Sequence, residues 1–513
     1  MGHILLHRYM HPTAYQANFD ELASWLQNYS DHPTASRIYN LAKRRAPEGS
    51  RYILPAPQQK NYIKGSLETT LNTGDTFKPI PYKRTQDQEH SYRKLRNSIK
   101  QHIQNGFPTG AKEALQSAPV LSKISQSETD ILWSQIALSY LIEGKEDQAL
   151  SLASLVFERH GSEIPLSGWV SGIASWQQKR YALSAQYFQK TALSPYSDSW
   201  TASAASYWAA RSYARMRNKD KTLYWIKEAA LYPRTFYGLL ANKTLNISDH
   251  FEWNSPTFTK EHRDLILSTP RGERAFYLAH IGLENLATME LEAIDTDRRP
   301  ALKEAILSMA YHFQLSRFLF KFGNSFQNDR GHYYDIALFP EISAWNQYSP
   351  HQIDKAIIHA IVRQESRFKA DAKSPNGAIG LMQLMPSTAA YIMGDERLSS
   401  RDQWKLTSPS MNLKIGEQYI QSLLKQPHID NNLFHLLIAY NAGPGALKRW
   451  QDKIDVHNDP LLFIELLPSS ETRAFVERVM TNLWVYRDRF QQNTPSLNAI
   501  IQDRQPIYQH LDN

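Results

Sequence analysis

Apolar residues recur every three to four positions through most of the chain, which predicts a protein built mainly of helices. The clearest stripe runs through Ile353, Ile357, Ile361 and Phe368, with Ile358 and Val362 beside it. Ser349, Pro350 and Gln352 read as an N-cap, a first-turn proline and a capping-box partner, and the helix is expected to end near Phe368. Round that helix Glu365 falls roughly 40° from Ile361 and roughly 80° from Ile357. The pattern thus sets a carboxylate on the face meant for the interior. An unpaired charge is costly there, and burial raises the pKa until the protonated acid is the cheaper state. Such an acid can give a proton to a leaving oxygen.

Upstream, residues 1–50 predict two short helices, one striped by Phe19, Leu22, Trp25 and Leu26 and one by Ile38, Leu41 and Ala42, with Pro33 between them. His3, His7 and His11 recur every four residues. Pro12 ends that run and no carboxylate accompanies it, so a solvated helix face is expected in place of a metal site. Residues 51–90 carry Pro55, Pro57, Pro79 and Pro81 among Lys60, Lys64, Lys78, Lys83 and Arg84. These basic residues are not helically spaced and match no nucleic-acid-binding module, so an exposed loop is expected. From about residue 91 to 325 helix follows helix. Trp133, Trp169 and Trp208 open three similar stretches, 36 and 39 residues apart. That resembles degenerate tetratricopeptide-like repeats, whose period is about 34 residues and whose stacking builds a superhelix with a concave surface. Residues 326–348 lose the periodicity and hold Gly331 and Pro340, which predicts a domain boundary. A compact helical domain follows, then a polar tail expected to wrap or fray.

Composition narrows the field modestly. A chain of 513 residues, 42% hydrophobic and 21% charged, is an ordinary globular sequence long enough for two to four domains. The absence of cysteine excludes disulfides, thiolate catalysis and zinc–cysteine sites. A formal charge of +8 permits attraction to nucleic acid, anionic lipid or a carboxylate-bearing glycan without choosing among them. No run approaches the ~18 apolar residues of a membrane span. The opening MGHILLHRYMHPTAYQ lacks the apolar core and small-residue cleavage site of a secretory signal, so the expectation is a protein that is not exported or whose signal has been removed.

Beyond Glu365 the chain supplies further candidate chemistry. SPNGAIG places Gly377 and Gly380 three apart, suited to tight turns and close approach of a ligand. It is not a phosphate loop, since no GK[ST] follows and no strand precedes it. Gln383 offers both a donor and an acceptor to a sugar hydroxyl or amide. Met382 and Met385, taken alone, read as core. In LFHLLIAYNAGPGALKRW, Leu433, Leu436, Leu437 and Tyr440 share one face, and Asn441, Gly443 and Pro444 break the helix. The Tyr440 hydroxyl could reach the Glu365 cavity or a local backbone partner. Pro468-Ser469-Ser470 opens another helix with Glu471 in its first turn, where the dipole favours the ionised form. Glu471 alone would simply stabilise that N-terminus. Together, Glu365 and Glu471 would be pushed toward opposite protonation states, the division of roles used in glycoside chemistry.

RQESRF, SPNGAIGLMQLMPSTA, AYNAGPG and ELLPSSETRAFVERV, in this order over about 110 residues, resemble the soluble lytic murein transglycosylases of the cell envelope. ALYPRTFYGLLA, ending at residue 241, resembles that family's segment between helical ring and linker. The resemblance implies an all-α fold: an α-superhelical, tetratricopeptide-like region at 1–235, a helical linker at 236–340, a lysozyme-like, mainly α catalytic domain at 341–490, and a tail at 491–513. It implies Glu365 as the single catalytic acid/base. Ser374, Gln383, Met385 and Tyr440 would line the glycan groove, and Glu471 of the ETR triplet would complete it. The implied reaction cleaves the β-1,4 bond between N-acetylmuramic acid and N-acetylglucosamine in peptidoglycan and leaves 1,6-anhydromuramic ends. No cofactor or metal, no nucleic acid and no transmembrane segment are implied, and the implied location is the periplasm. Two departures are visible: Leu-Leu-Pro stands where Ile-Pro is common, and the family's export signal is not in the sequence. A hydrolytic muramidase on a lysozyme-like fold and a non-catalytic peptidoglycan-binding scaffold remain as alternatives.

Overall fold

The computed structural model describes residues 1–11, 13–47, 52–58, 78, 82–248, 251–296, 299–323, 334–347, 351–456 and 458–512. Among them regular structure is helical, and the only β pairing consists of isolated bridges. Among the described residues no helix is long and apolar enough to cross a membrane.

The chain forms two compact units. One comprises Met1–Thr69, Phe251–Gln347 and Arg367–Lys369; the other comprises Thr70–His250, Tyr348–Ser366 and Ala370–Asn513. The first helices join residues 251–347, and the helix Phe236–Thr244 stays with the repeats.

The first unit begins with three helices, Gly2–Tyr9, Phe19–Tyr29 and Ala35–Arg44. Asn18 caps the second in a capping box with Glu21. The predicted stripes do form a core, with Leu22, Trp25, Leu26, Ile38 and Ala42 all buried. The expected solvated histidine face is wrong at one of its three positions, and His11 is exposed as expected. His7 is exposed, whereas His3 shares its face with Leu6 and is buried. The Trp25 Nε1 donates to the Gly2 carbonyl at 3.0 Å, holding that face against the second helix. A separate apolar cluster fills the bundle of later helices, from Ile266 and Ala275 to Phe318 and Phe322.

In the second unit the three tryptophan stretches become three helix pairs: Gln126–Ile142 with Glu146–His160, Pro165–Gln177 with Tyr181–Ala192, and Ser199–Arg215 with Lys219–Ala230. Each helix packs on the next, as stacked repeats do. Small residues set the spacing. A Cβ at Gly172 would lie 2.6 Å from the Phe188 ring, so only glycine lets those helices approach. Arg84, expected on an exposed loop, is instead buried between Glu128 and Glu89, both at 2.8 Å, with Tyr92 under its guanidinium. A paired guanidinium can be buried where a lone one cannot. Pro79, Pro81, Lys60 and Lys64 lie outside the described residues.

The repeats are joined to the last third of the chain through buried polar contacts. Trp208 Nε1 donates to the Tyr237 hydroxyl at 3.0 Å, and that hydroxyl donates to Glu465 Oε1 at 2.5 Å. Phe236 stacks on Trp484 with ring centroids 5.2 Å apart. Arg211 reaches Asp459 at 2.9 Å.

Candidate active site

The helix carrying Glu365 spans Lys355–Glu365, and Asp354 is its N-cap, accepting from the Ala356 N–H at 3.0 Å. It begins later than the sequence suggested. Gln352 gives its N–H to Glu417 Oε2 at 3.0 Å and does not close a capping box, while Ser349 and Pro350 lie outside the described residues. The tail, which could have frayed, wraps here: Leu511 N–H donates to Asp354 Oδ2 at 2.9 Å, and the Asp354 N–H donates to the Tyr508 hydroxyl at 3.0 Å. Every side chain from Ala356 to Val362 is buried, largely against the helix Ser470–Arg489. Arg363 donates to Asn482 Oδ1 at 2.6 Å, and Asn482 donates to the Ala360 carbonyl at 3.3 Å.

The helix ends at Glu365, one turn short of Phe368. Arg367 and Phe368 adopt φ of 53° and 62°, a left-handed conformation costing roughly 1–2 kcal/mol per L-residue. The acid is thereby fixed as the last helical residue, at the C-terminal end whose dipole disfavours a negative charge. Its carboxyl takes no protein hydrogen bond or ion pair among the described residues. Burial, and then the nearby negative charge of Glu471, push it up to about 8. It is therefore a carboxylic acid at neutral pH. Glu471 sits exposed in the first turn of Ser470–Arg489, whose N-cap Ser469 accepts from Thr472 N–H at 3.1 Å.

Tyr440 belongs to the same cluster. Its hydroxyl donates to the Met382 carbonyl at 2.6 Å, and its pKa is raised well above 10 by burial and then by the charge of Glu365. The ring lies parallel to Phe475 at 6.2 Å and tilted against Tyr419 at 5.5 Å. The hydroxyl's partner is a backbone carbonyl 58 residues away and not the local one that the sequence offered as an alternative. Behind it, the Thr472 hydroxyl donates to Asn441 Oδ1 at 2.7 Å, tying the end of helix Leu433–Ala442 to the start of Ser470–Arg489.

The glycine loop is a small knot of backbone pairing. Lys373 bridges Ile379, and Ile379 bridges Leu384. Ser374 receives the Gly377 N–H at its carbonyl (3.0 Å) and the Ala378 N–H at its Oγ (3.0 Å). Gly380 is constrained twice. Its φ is +86°, and a Cβ there would meet Asn412 Nδ2 at 2.2 Å and the Leu406 carbonyl at 2.3 Å. Gln383, itself at φ 47°, spends its amide nitrogen on the Gly380 and Ala372 carbonyls at 2.8 and 3.2 Å. Its Oε1 is the atom able to meet a ligand. The core expectation fits Met382, fully buried, and not Met385, which is 40% exposed at the start of helix Pro386–Met393.

Two features escaped the sequence reading. Asn412, fully buried, uses its whole amide on this loop: Nδ2 donates to Ile379 and Leu406 carbonyls at 3.0 and 2.9 Å, and Oδ1 accepts from Met382 N–H at 2.8 Å. An asparagine inside a helical pattern carries no local signal of that role. On its other side Glu471 borders a cavity of about 930 Å³ with Arg93, Arg96, Lys100, Trp450 and Ser469 in its wall; Glu365 does not line it. The basic residues stand at i, i+3 and i+7 of helix Gln86–Gln104, a stripe visible in the sequence but indistinguishable there from a solvated face.

Residues 344–459 match the family described as Transglycosylase SLT domain. The chain is 26% identical over 315 residues to the soluble lytic murein transglycosylase of Salmonella typhimurium, covering 55% of this chain and 45% of that protein. It is 38% identical over 149 residues to the soluble lytic murein transglycosylase of Escherichia coli K12, covering 28% and 22%. The chain thus spans less than half the length of these curated relatives. Among solved structures, an inactive mutant of the lytic transglycosylase Slt from Pseudomonas aeruginosa superposes with a TM-score of 0.59 at 20% identity, over 97% of this chain and 76% of that one. A 70-kDa soluble lytic transglycosylase solved in complex with bulgecin A gives 0.61 at 19% identity, over 93% and 71%. These likenesses establish the fold, an α-superhelical region with a lysozyme-like domain. The matched domain and the shared fold agree: residues 344–459 match the Transglycosylase SLT domain, and the chain is similar to soluble lytic murein transglycosylases in sequence and in fold.

Proposed function

We propose that this protein is a peptidoglycan lytic transglycosylase that cleaves the β-1,4 bond between N-acetylmuramic acid and N-acetylglucosamine and leaves 1,6-anhydromuramic ends. The observation that carries this is the protonated, unpartnered Glu365 beside Glu471 and Tyr440. Glu365 gives its proton to the glycosidic oxygen as the bond to the muramyl anomeric carbon breaks. The oxocarbenium-like centre is assisted by the sugar's own 2-acetamido group. Glu365, now a carboxylate, takes the proton of the muramyl 6-hydroxyl, whose oxygen closes onto the anomeric carbon. No water is consumed, and one protein carboxyl suffices because the nucleophile is already held within the substrate.

Ser374, Gln383 and Met385 would line the groove, with Tyr440 supporting the reacting sugar and Glu471 keeping the acid protonated. The catalytic domain would be residues 341–490, held together by the tail 491–513, with residues 1–235 and 236–340 as superhelix and linker that orient glycan strands. The periplasm is the location that suits this substrate. Purified sacculi digested with the protein should yield anhydro-ended muropeptides by mass spectrometry, and Glu365→Gln should yield none. Products one water heavier would replace this reading with a hydrolytic muramidase. Equal release by mutant and wild type would leave only a glycan-binding scaffold.

A further inference from the structure

Away from the glycan site, the first unit holds a second cluster of chemically capable side chains. His3, His32 and Glu290 come from three segments, and one ligand atom of each lies within 4.8 Å of the others. His3 Nε2 is 2.9 Å from Glu290 Oε1, and His32 Nε2 is 3.9 Å from the same oxygen. His32 is fully buried, and its Nε2 has no hydrogen-bond partner among the described residues. A polar ring atom stranded in the interior is costly unless something occupies its lone pair.

The surroundings favour a cation as that occupant. His32 Nδ1 lies 3.0 Å from Thr34 Oγ1, so the tautomer that donates Nδ1–H there turns the Nε2 lone pair toward Glu290. The Thr34 N–H also lies 3.2 Å from Nδ1; in the tautomer that accepts it, Nε2–H would point toward Glu290 Oε1, which at 3.9 Å is beyond hydrogen-bond distance. Arg274 takes both Glu290 oxygens at 2.8 and 2.9 Å and gives its far side to Asp31 at 2.8 Å, so its charge is already matched. A carboxylate has about four lone-pair positions, which leaves room for a metal beside the arginine.

We propose that His3, His32 and Glu290 form a binding site for a divalent first-row metal ion, Zn²⁺ in the first instance, that pins the N-terminal helices to the helix Glu284–Leu291. Two imidazoles and a carboxylate are a fitting donor set for zinc, with a further position for water on the slightly exposed His3 side. Binding would replace the His3–Glu290 hydrogen bond by two bonds to the ion and supply the missing partner of His32.

The test uses the whole chain without a histidine tag, stripped with chelator and titrated with Zn²⁺ by calorimetry. One ion per chain should bind, raise the unfolding temperature reversibly to chelator, and be lost in His32→Ala. Because His32→Ala removes a buried ring and can unfold the unit, Thr34→Val is the second arm. It keeps all three ligands and should weaken binding by about tenfold through loss of ring orientation. His7→Ala, on the exposed side of the same helix, should bind as the parent does. Absence of saturable one-ion uptake overturns the proposal. So does uptake undiminished in both His32→Ala and Thr34→Val, or an equal loss in His7→Ala, which would mark surface histidines as the ligands.

Discussion

Glu128 and Glu365 are both withdrawn from solvent on helices of the same compact unit, and they end in opposite protonation states. Glu128 lies in the first turn of its helix, where the dipole favours a charge; Glu365 is the last residue of its helix, where it does not. Burial alone would raise Glu128, but the two hydrogen bonds from Arg84 and the N–H groups of Ser125 and Tyr82 override it and bring it down to about 2. Glu365 has burial and a like charge in Glu471, with nothing to offset them, and stands at about 8. Burial of a carboxylate is thus common to a structural clamp and a candidate acid. The partner set decides which one it becomes.

The largest expected effect breaks the comparison at its functional end. Glu365→Gln should lower anhydro-muropeptide formation by about 10²–10⁴-fold, the usual weight of a positioned acid/base. It should also raise stability near neutral pH. The folded pKa lies above the unfolded one, so wild type loses stability relative to the amide as pH rises from about 4.5 toward 8, and denaturant titrations at several pH values would show the gap opening. Equal slopes with pH would contradict the raised pKa.

At the structural end, Glu128→Gln should cost about 3 kcal/mol by urea unfolding at pH 7, because it strands the buried Arg84. Here the folded pKa is depressed, so the deficit should be full above about 4.5 and shrink as pH falls toward 2. A deficit that ignores pH would mean that packing, not charge, holds the clamp.

The next effect is local. Asn412→Ala takes the Asn412 partner from the Leu406 carbonyl and the Met382 N–H, while the Ile379 carbonyl keeps the Leu384 N–H, at about 1–3 kcal/mol for each buried group left unpaired that water cannot reach. The Met382 amide should then exchange with deuterium faster while amides of the repeat helices keep their protection. Unchanged exchange at Met382 would remove Asn412 from its role in holding the loop.

The smallest effect refines the acid itself. Glu471→Gln deletes the like charge that raises Glu365, so the alkaline limb of the cleavage–pH profile should move to lower pH with the maximal rate little changed. A limb that stays in place would make burial the sole cause.

The helix of Glu365 was legible because its apolar stripe leaves one carboxylate facing inward, and the three tryptophan stretches were legible because each repeat has to bury a face on its neighbour. Less visible were contacts that depend on residues far along the chain. Asp354 became the N-cap only because Leu511 and Tyr508 return to it. His3 looked like one of three solvated histidines until Glu290 and His32 closed on it. Arg84 looked like loop charge until Glu128 received it.

The sequence by itself determined the helical architecture, the place of the acid on its helix and the four motifs that resemble the soluble lytic transglycosylases, because periodicity and motif spacing are local and survive without a fold. Tertiary structure decided where the helix stops, which carboxylates are paired, and which segments share a core. Those outcomes turn on desolvation and on partners hundreds of residues away, and no local pattern encodes a distance across the interior.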